Sequence, residues 1–189
     1  MEGLPQSGNF VIFDTEYTAW EGCNKRGWTR PNEHREIVQI GAVLVGPDLA
    51  ELDSFKCLVK PTKNPKLSQY FTDLTRITQA AVDTKGFAYP DALTCYASWA
   101  GGLQMYCWGM DLEIMAYNAK LVGAPFPFPI EQKRDIRSVF ELAGIATLAY
   151  MSSTIPRAFG EEPPPTAHDA LSDARSILQG LRAFRRRSA

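Results

Sequence analysis

The run Phe10-Val11-Ile12-Phe13-Asp14-Thr15-Glu16 constrains the fold more than any other stretch of this chain. Four large apolar residues in succession predict a buried strand. Side chains two apart in a strand point the same way. Asp14 and Glu16 therefore project together, from the place where the strand is expected to end. Adjacent carboxylates raise each other's pKa unless a positive group stands between them. A hard divalent cation, which prefers oxygen ligands, is the simplest such group.

With 189 residues, 45% of them hydrophobic, the chain fits one domain with a substantial core, taken as residues 1–189 with the core at about 9–184. No apolar run approaches the roughly 20 residues of a membrane span. Met1 to Gly8 lacks the basic and apolar regions of a secretory signal. A cytoplasmic protein with no membrane partner is expected. Cys23, Cys57, Cys95 and Cys107 have no close pairing and read as free thiols in a reducing compartment. His34 and His168 are the only histidines, so no Cys/His set has zinc spacing. A formal net charge of −1 excludes a general polyanion binder. A nucleic-acid partner would need a local basic patch or a bound metal. The cluster from Arg182 to Arg187 reads as a solvated helix end, where cations suit the macrodipole.

Glu36 to Val45 predicts a largely buried second strand, and Gly46-Pro47-Asp48 a turn. Leu52 to Val59 alternates, with Phe55, Cys57 and Val59 on one face, completing an antiparallel meander. Leu74 to Gln79 reads as a short element, Pro90 to Leu103 as a helix, and Met105 to Trp108 as a short strand closed by Gly109. Helices follow over about Asp111 to Val122 and Ser138 to Ala143, with a Pro-rich loop from Ala124 to Pro129 between them. Ser152 to Thr166 reads as irregular. A final helix starts near Asp169 or Ala170, its apolar residues Ala170, Ala174, Ile177, Leu178, Leu181 and Phe184 keeping helical period. Strands first, then helices alternating with strands, predict an α/β fold with one mixed sheet flanked by helices.

Asp173 is bounded by Ala174 and Ile177, at the edge of the buried face of that last helix. Five positions rotate a helix by about 140°, so His168 cannot share its face and is expected on the loop ahead. Asp111 opens a helix, where Asp is also an ordinary N-terminal residue. Beside the other three carboxylates it reads as a fourth site residue. Four carboxylates and one His are the parts of a two-metal phosphodiesterase, with the His as general base.

The same residues carry a resemblance. Phe13-Asp14-Thr15-Glu16, Trp108-Gly109-Met110-Asp111 and His168-Asp169-Ala170-Leu171-Ser172-Asp173-Ala174 resemble, in order, the three motifs of DEDDh-type 3'-5' exonucleases, the superfamily of RNase T, oligoribonuclease and polymerase proofreading domains. Glu36 to Gly41 and Leu74 to Gln79 are similar to the Eri-type exoribonuclease branch. The resemblance implies an RNase H-like fold and two Mg²⁺ or Mn²⁺ ions held by Asp14, Glu16 and Asp173, with Asp111 supporting the second. It implies that Leu74 and Ile77 line the terminal-nucleotide pocket, and that Thr15 and Thr78 contact its sugar and 3'-OH. On spacing alone, Leu74 and Ile77 are ordinary core residues.

The expected substrate is the free 3' end of single-stranded RNA or DNA, with RNA favoured by the Eri-type stretches. The alternatives are a DNA proofreading or repair subunit and a catalytically inactive binding module. Thr18 to Arg35 holds no motif of the family. Its Trp20 and Trp28, beside Lys25, Arg26 and Arg30, could equally stack on bases or serve the core. Trp99 and Trp108 are expected in the core.

Overall fold

In the computed structural model, five strands form one mixed sheet. The structure describes residues 3–5, 7–129 and 133–188, so the outermost residues of the expected 1–189 domain lie outside the described residues. Strands β1 (Phe10–Tyr17), β2 (Ile37–Val45) and β3 (Glu51–Leu58) make the expected antiparallel meander. On the other side of β1 lie β4 (Met105–Cys107) and β5 (Lys133–Asp135), both parallel to it, giving the order β3-β2-β1-β4-β5.

Seven helices accompany the sheet among the described residues: α1 (Cys23–Arg26), α2 (Gln69–Thr75), α3 (Gln79–Lys85), α4 (Tyr89–Ala100), α5 (Asp111–Val122), α6 (Arg137–Leu142) and α7 (Ala170–Ser188). Alternation along β1 divides the core in two. Val11 and Phe13 pack with Tyr96 of α4 and Met115 of α5. Phe10 and Ile12 pack with Phe140 of α6 and Ile177, Leu178 and Leu181 of α7. The sheet is thus covered on both faces, as an uninterrupted apolar strand requires.

Four expectations need correction. The carboxylate pair lies within the last residues of β1 rather than beyond it: Asp14 and Glu16 still pair with Gly41 and Gln39 of β2, and the strand ends at Tyr17. Its other neighbour stops sooner: β4 pairs only with Val11 and Ile12, leaving that edge of β1 open beside Asp14. Strand β5 was not anticipated, because Lys133-Arg134-Asp135 has no apolar residue, a composition suited to a sheet edge. Leu74 to Gln79 is a junction between helices: α2 stops at Thr75, Arg76 turns the chain at φ 62°, and the Thr78 hydroxyl accepts from the Ala81 N–H to cap α3. Thr18 to Arg35, which holds no motif of the family, is folded and partly buried rather than a purely polar stretch. It contains α1 and buries Ala19 and Cys23 in a third apolar cluster with Val38, Phe71 and Ile77.

Two local devices fix the frame around the site. Glu36, 2% exposed, accepts from the backbone N–H groups of Thr62, Lys63 and Asn64 and so anchors that loop to the start of β2. At Gly41 the first turn of α7 lies directly on β2, and a Cβ there would overlap the backbone of Ala170 and Leu171. Gly41→Ala is therefore expected to lose about 1–3 kcal/mol or more of stability by forcing α7 off the sheet. Urea unfolding checks this: the midpoint should fall with the slope unchanged.

Candidate active site

The site lies where β1 passes beyond the end of β4. Asp14 and Glu16 share the α7 side of the sheet with Phe10 and Ile12, while Thr15 points to the α5 side. After β4, Gly109 at φ 90° turns the chain into α5, whose first residue is Asp111. The Thr15 N–H and hydroxyl both donate to Asp111 Oδ1, at 3.2 and 2.5 Å. The residue between the paired carboxylates thus holds the third one in place.

The start of α7 is fastened from two sides. The Ala170 N–H donates to Gln39 Oε1 of β2 at 2.7 Å, and the Ser172 N–H donates to Asp169 Oδ1 at 3.1 Å. Lys56 of β3 forms an ion pair with Asp169. Asp173 is thereby set 3% exposed in the first turn of the helix. His168 precedes the helix, as expected, half-buried and in the left-handed conformation at φ 60°.

Asp14, Glu16, Asp111, Asp173 and His168 all line one cleft of about 260 Å³, with Thr15 and Leu74 in its walls. Burial holds the carboxyls of Asp14 and Glu16 well above their ordinary range, and the neighbouring charges of Asp111 and Asp173 push the same way. Asp173 is pushed up to about 7, first by burial and then by Asp169 and Asp111, although the His168 backbone N–H and Ser152 work against the shift. Burial lowers the pKa of His168. Ligand atoms of Glu16, His168 and Asp173 lie within 4.8 Å of one another. Asp173 Oδ1 is buried without a hydrogen-bond partner among the described residues. Crowded carboxylates with one buried, unpartnered oxygen among them fit a hard divalent cation.

The raised carboxyls have a consequence for the metal-free protein. A group whose pKa is raised on folding stabilises the fold below its unfolded value and loses that contribution as pH rises through its folded value. In EDTA, the melting temperature should therefore fall between about pH 4 and 7, the interval over which Asp173 passes from 3.8 to about 7. His168 acts in the opposite sense at the acid end, but is one group against three. Thermal scans across this range, with and without a divalent cation, check it: the cation should flatten the decline.

The structure also places residues that the sequence reading left open. Ile77 is 7% exposed in the third apolar cluster, and with Thr78 it faces a neighbouring groove rather than the cleft. Trp28 reaches the cleft with Cys23 and Asn24, so the Thr18–Arg35 segment forms part of its wall. The Trp28 Nε1–H donates to the Thr18 carbonyl at 3.0 Å, and Arg35 lies 4.3 Å from its ring centroid. Trp108, half-buried, also faces the cleft, while Trp99 packs on the core and donates to Asp53 at 2.9 Å. Ser152 was missed: it sits in an irregular segment, and a lone serine there carries no pattern.

Comparison with known proteins finds relatives over most of the chain. A model of the exonuclease family, RNase_T, matches residues 11–181. The probable 3'-5' exonuclease KapD of Bacillus subtilis is 27% identical over 172 residues, covering 89% of this chain and 80% of that protein. ERI1 exoribonuclease 2 of Homo sapiens is 30% identical over 95 residues, which is 50% of this chain and 13% of the human protein. Among solved structures, the nuclease domain of 3'hExo, a DEDDh family member bound to rAMP, superposes with a TM-score of 0.76 at 23% identity, over 95% of this chain and 92% of that one.

Proposed function

This chain belongs to the RNase T exonuclease family, and from that premise we propose that it is a metal-dependent 3'-5' exonuclease releasing nucleoside 5'-monophosphates from single-stranded ends with a free 3'-OH. The observation that carries this reading is the convergence of Asp14, Glu16, Asp111, Asp173 and His168 in one cleft. Single-stranded RNA is the favoured substrate, with DNA as a second one. The free state of all four cysteines fits a reducing compartment, and we assign the protein to the cytoplasm. No helix among the described residues is long and apolar enough to cross a membrane.

In this reading Asp14, Glu16 and Asp173 hold two Mg²⁺ or Mn²⁺ ions, with Asp111 supporting the second. Bound there, the ions would stabilise charge on the attacking and leaving oxygens of an in-line displacement. His168 accepts the proton of the attacking water at a ring nitrogen, which its lowered pKa leaves free at neutral pH. Thr15 acts through Asp111, whose carboxylate it orients. Leu74 packs against the terminal base, and Ile77 and Thr78 meet the strand as it leaves the cleft.

The test is a ladder assay on 5'-labelled single strands of RNA and DNA ending in either a 3'-OH or a 3'-phosphate. A descending ladder from the 3'-OH strands and none from the 3'-phosphate strands is expected, with RNA degraded faster. Cleavage of a circular strand, or release from the 5' end, would overturn the proposal.

A further inference from the structure

A groove of about 920 Å³ lies beside the catalytic cleft and shares Leu74 and His168 with it. Its charged walls are Lys56, Arg76 and Arg175, against the single acid Asp169. Lys56 is already paired with Asp169, and Arg175 donates to Glu51 at 2.7 Å. Arg76 differs from both. Among the described residues no hydrogen bond or ion pair holds its guanidinium, and its side chain is exposed. Its backbone sits at φ 62°, the left-handed conformation that closes α2. Glycine occupies that region freely, whereas a residue with a Cβ does so at a cost. A strained backbone position that carries a long cation, next to a catalytic cleft, points to a function for the cation.

We infer that this groove carries the nucleotides preceding the scissile bond, and that Arg76 contacts a backbone phosphodiester of the single strand there. The inference rests on the exonuclease reading of the adjoining cleft. The groove supplies what such a strand needs: an unpaired cation for phosphate, and apolar surface from Leu58, Ile77, Pro164 and Pro165 for sugars and bases. Leu74 and His168 line both the groove and the cleft, so the groove begins where the cleft's wall is shared. The chain as a whole has a net charge of −1. Attraction for the polyanion must therefore be local, and Arg76 is placed to provide it.

The test uses Arg76→Gly, which removes the cation and relaxes the backbone, and Arg76→Lys, which keeps the charge. Binding of a short 5'-labelled single-stranded RNA is followed by fluorescence anisotropy in EDTA over a range of salt. Arg76→Gly should bind about two- to fivefold more weakly at low salt. The slope of log K against log salt should lose about 0.7, as for one phosphate contact to a single strand. Arg76→Lys should retain the wild-type slope. Hydrolysis of thymidine 5'-monophosphate p-nitrophenyl ester, a single nucleotide with nothing upstream, should be the same in all three proteins.

An unchanged salt slope in Arg76→Gly would overturn the inference. So would an equal loss of ester hydrolysis, because Arg76 would then be acting on the cleft. A wild-type protein that hydrolyses neither the ester nor any strand would instead sink the exonuclease reading, while the binding measurement would still decide the role of Arg76.

Discussion

Asp14→Asn should lose activity by about 10³-fold while the metal-free protein becomes more heat-stable. The first effect follows from the position of Asp14, in the same cleft as Glu16, Asp111 and Asp173. If Asp14 is a ligand to the ions, its loss removes several kcal/mol of transition-state stabilisation, and each 1.36 kcal/mol is a factor of ten in rate. The second effect has the opposite sign. Asp14 is buried, and the charges of Asp111, Asp173 and Glu16 all oppose its ionisation. An amide of the same shape carries none of that repulsion. In EDTA near neutral pH the variant should therefore melt above the wild type, and the stabilisation by a divalent cation should shrink. A variant that turns over at the wild-type rate, or a wild type indifferent to EDTA, would sink the two-metal reading. Loss of activity with a lowered metal-free melting point would mean that Asp14 serves the fold.

His168→Ala is expected to lose about 10²–10⁴-fold in turnover, the usual range for removing a general base. The imidazole lies on the loop ahead of α7, half-buried, with its pKa lowered by that burial. Its ring is not needed to hold α7 in place, since Gln39, Asp169 and the packing at Gly41 do that. The variant should therefore keep the wild-type melting temperature and bind a single strand in EDTA with wild-type affinity. Turnover under single-turnover conditions separates chemistry from binding. Wild-type turnover in the variant would remove His168 from the mechanism. A matching loss of strand affinity would make it a contact residue.

How far the sequence discloses this molecule depends on what kind of signal each part leaves. Buried strands of the central sheet leave long apolar runs, so β1 and β2 are legible, and the regular period of α7 is legible for the same reason. Of the five residues that share the cleft, Asp14 and Glu16 stand as a pair and His168 and Asp173 in one short motif, whereas Asp111 is a lone carboxylate that is picked out only beside the others. Strand β5 is not legible, because an edge strand of three charged residues has neither period nor apolar content. Arg76 gives no sign of its left-handed backbone, since no residue type there marks the turn as a glycine would. Cys23, Asn24 and Trp28 reach the cleft only because a separate small cluster folds the Thr18–Arg35 segment back onto α2, a tertiary fact invisible to local pattern.

The fastening of α7 to the sheet also bears on when this protein can act. The bond from the Ala170 N–H to Gln39 spans 131 residues, and the Thr15 to Asp111 bond spans 96. Contacts so remote form only after large loops have closed, a step that is slow and gains nothing until it is complete. The cleft therefore has no partially built working form: a chain still emerging during synthesis has β1 but not α7, and so lacks the carboxylate and imidazole that α7 and its lead-in supply. The site is complete only once β1, the start of α5 and the start of α7 have met. In a refolding experiment its activity should return with the slowest cooperative phase and never ahead of it.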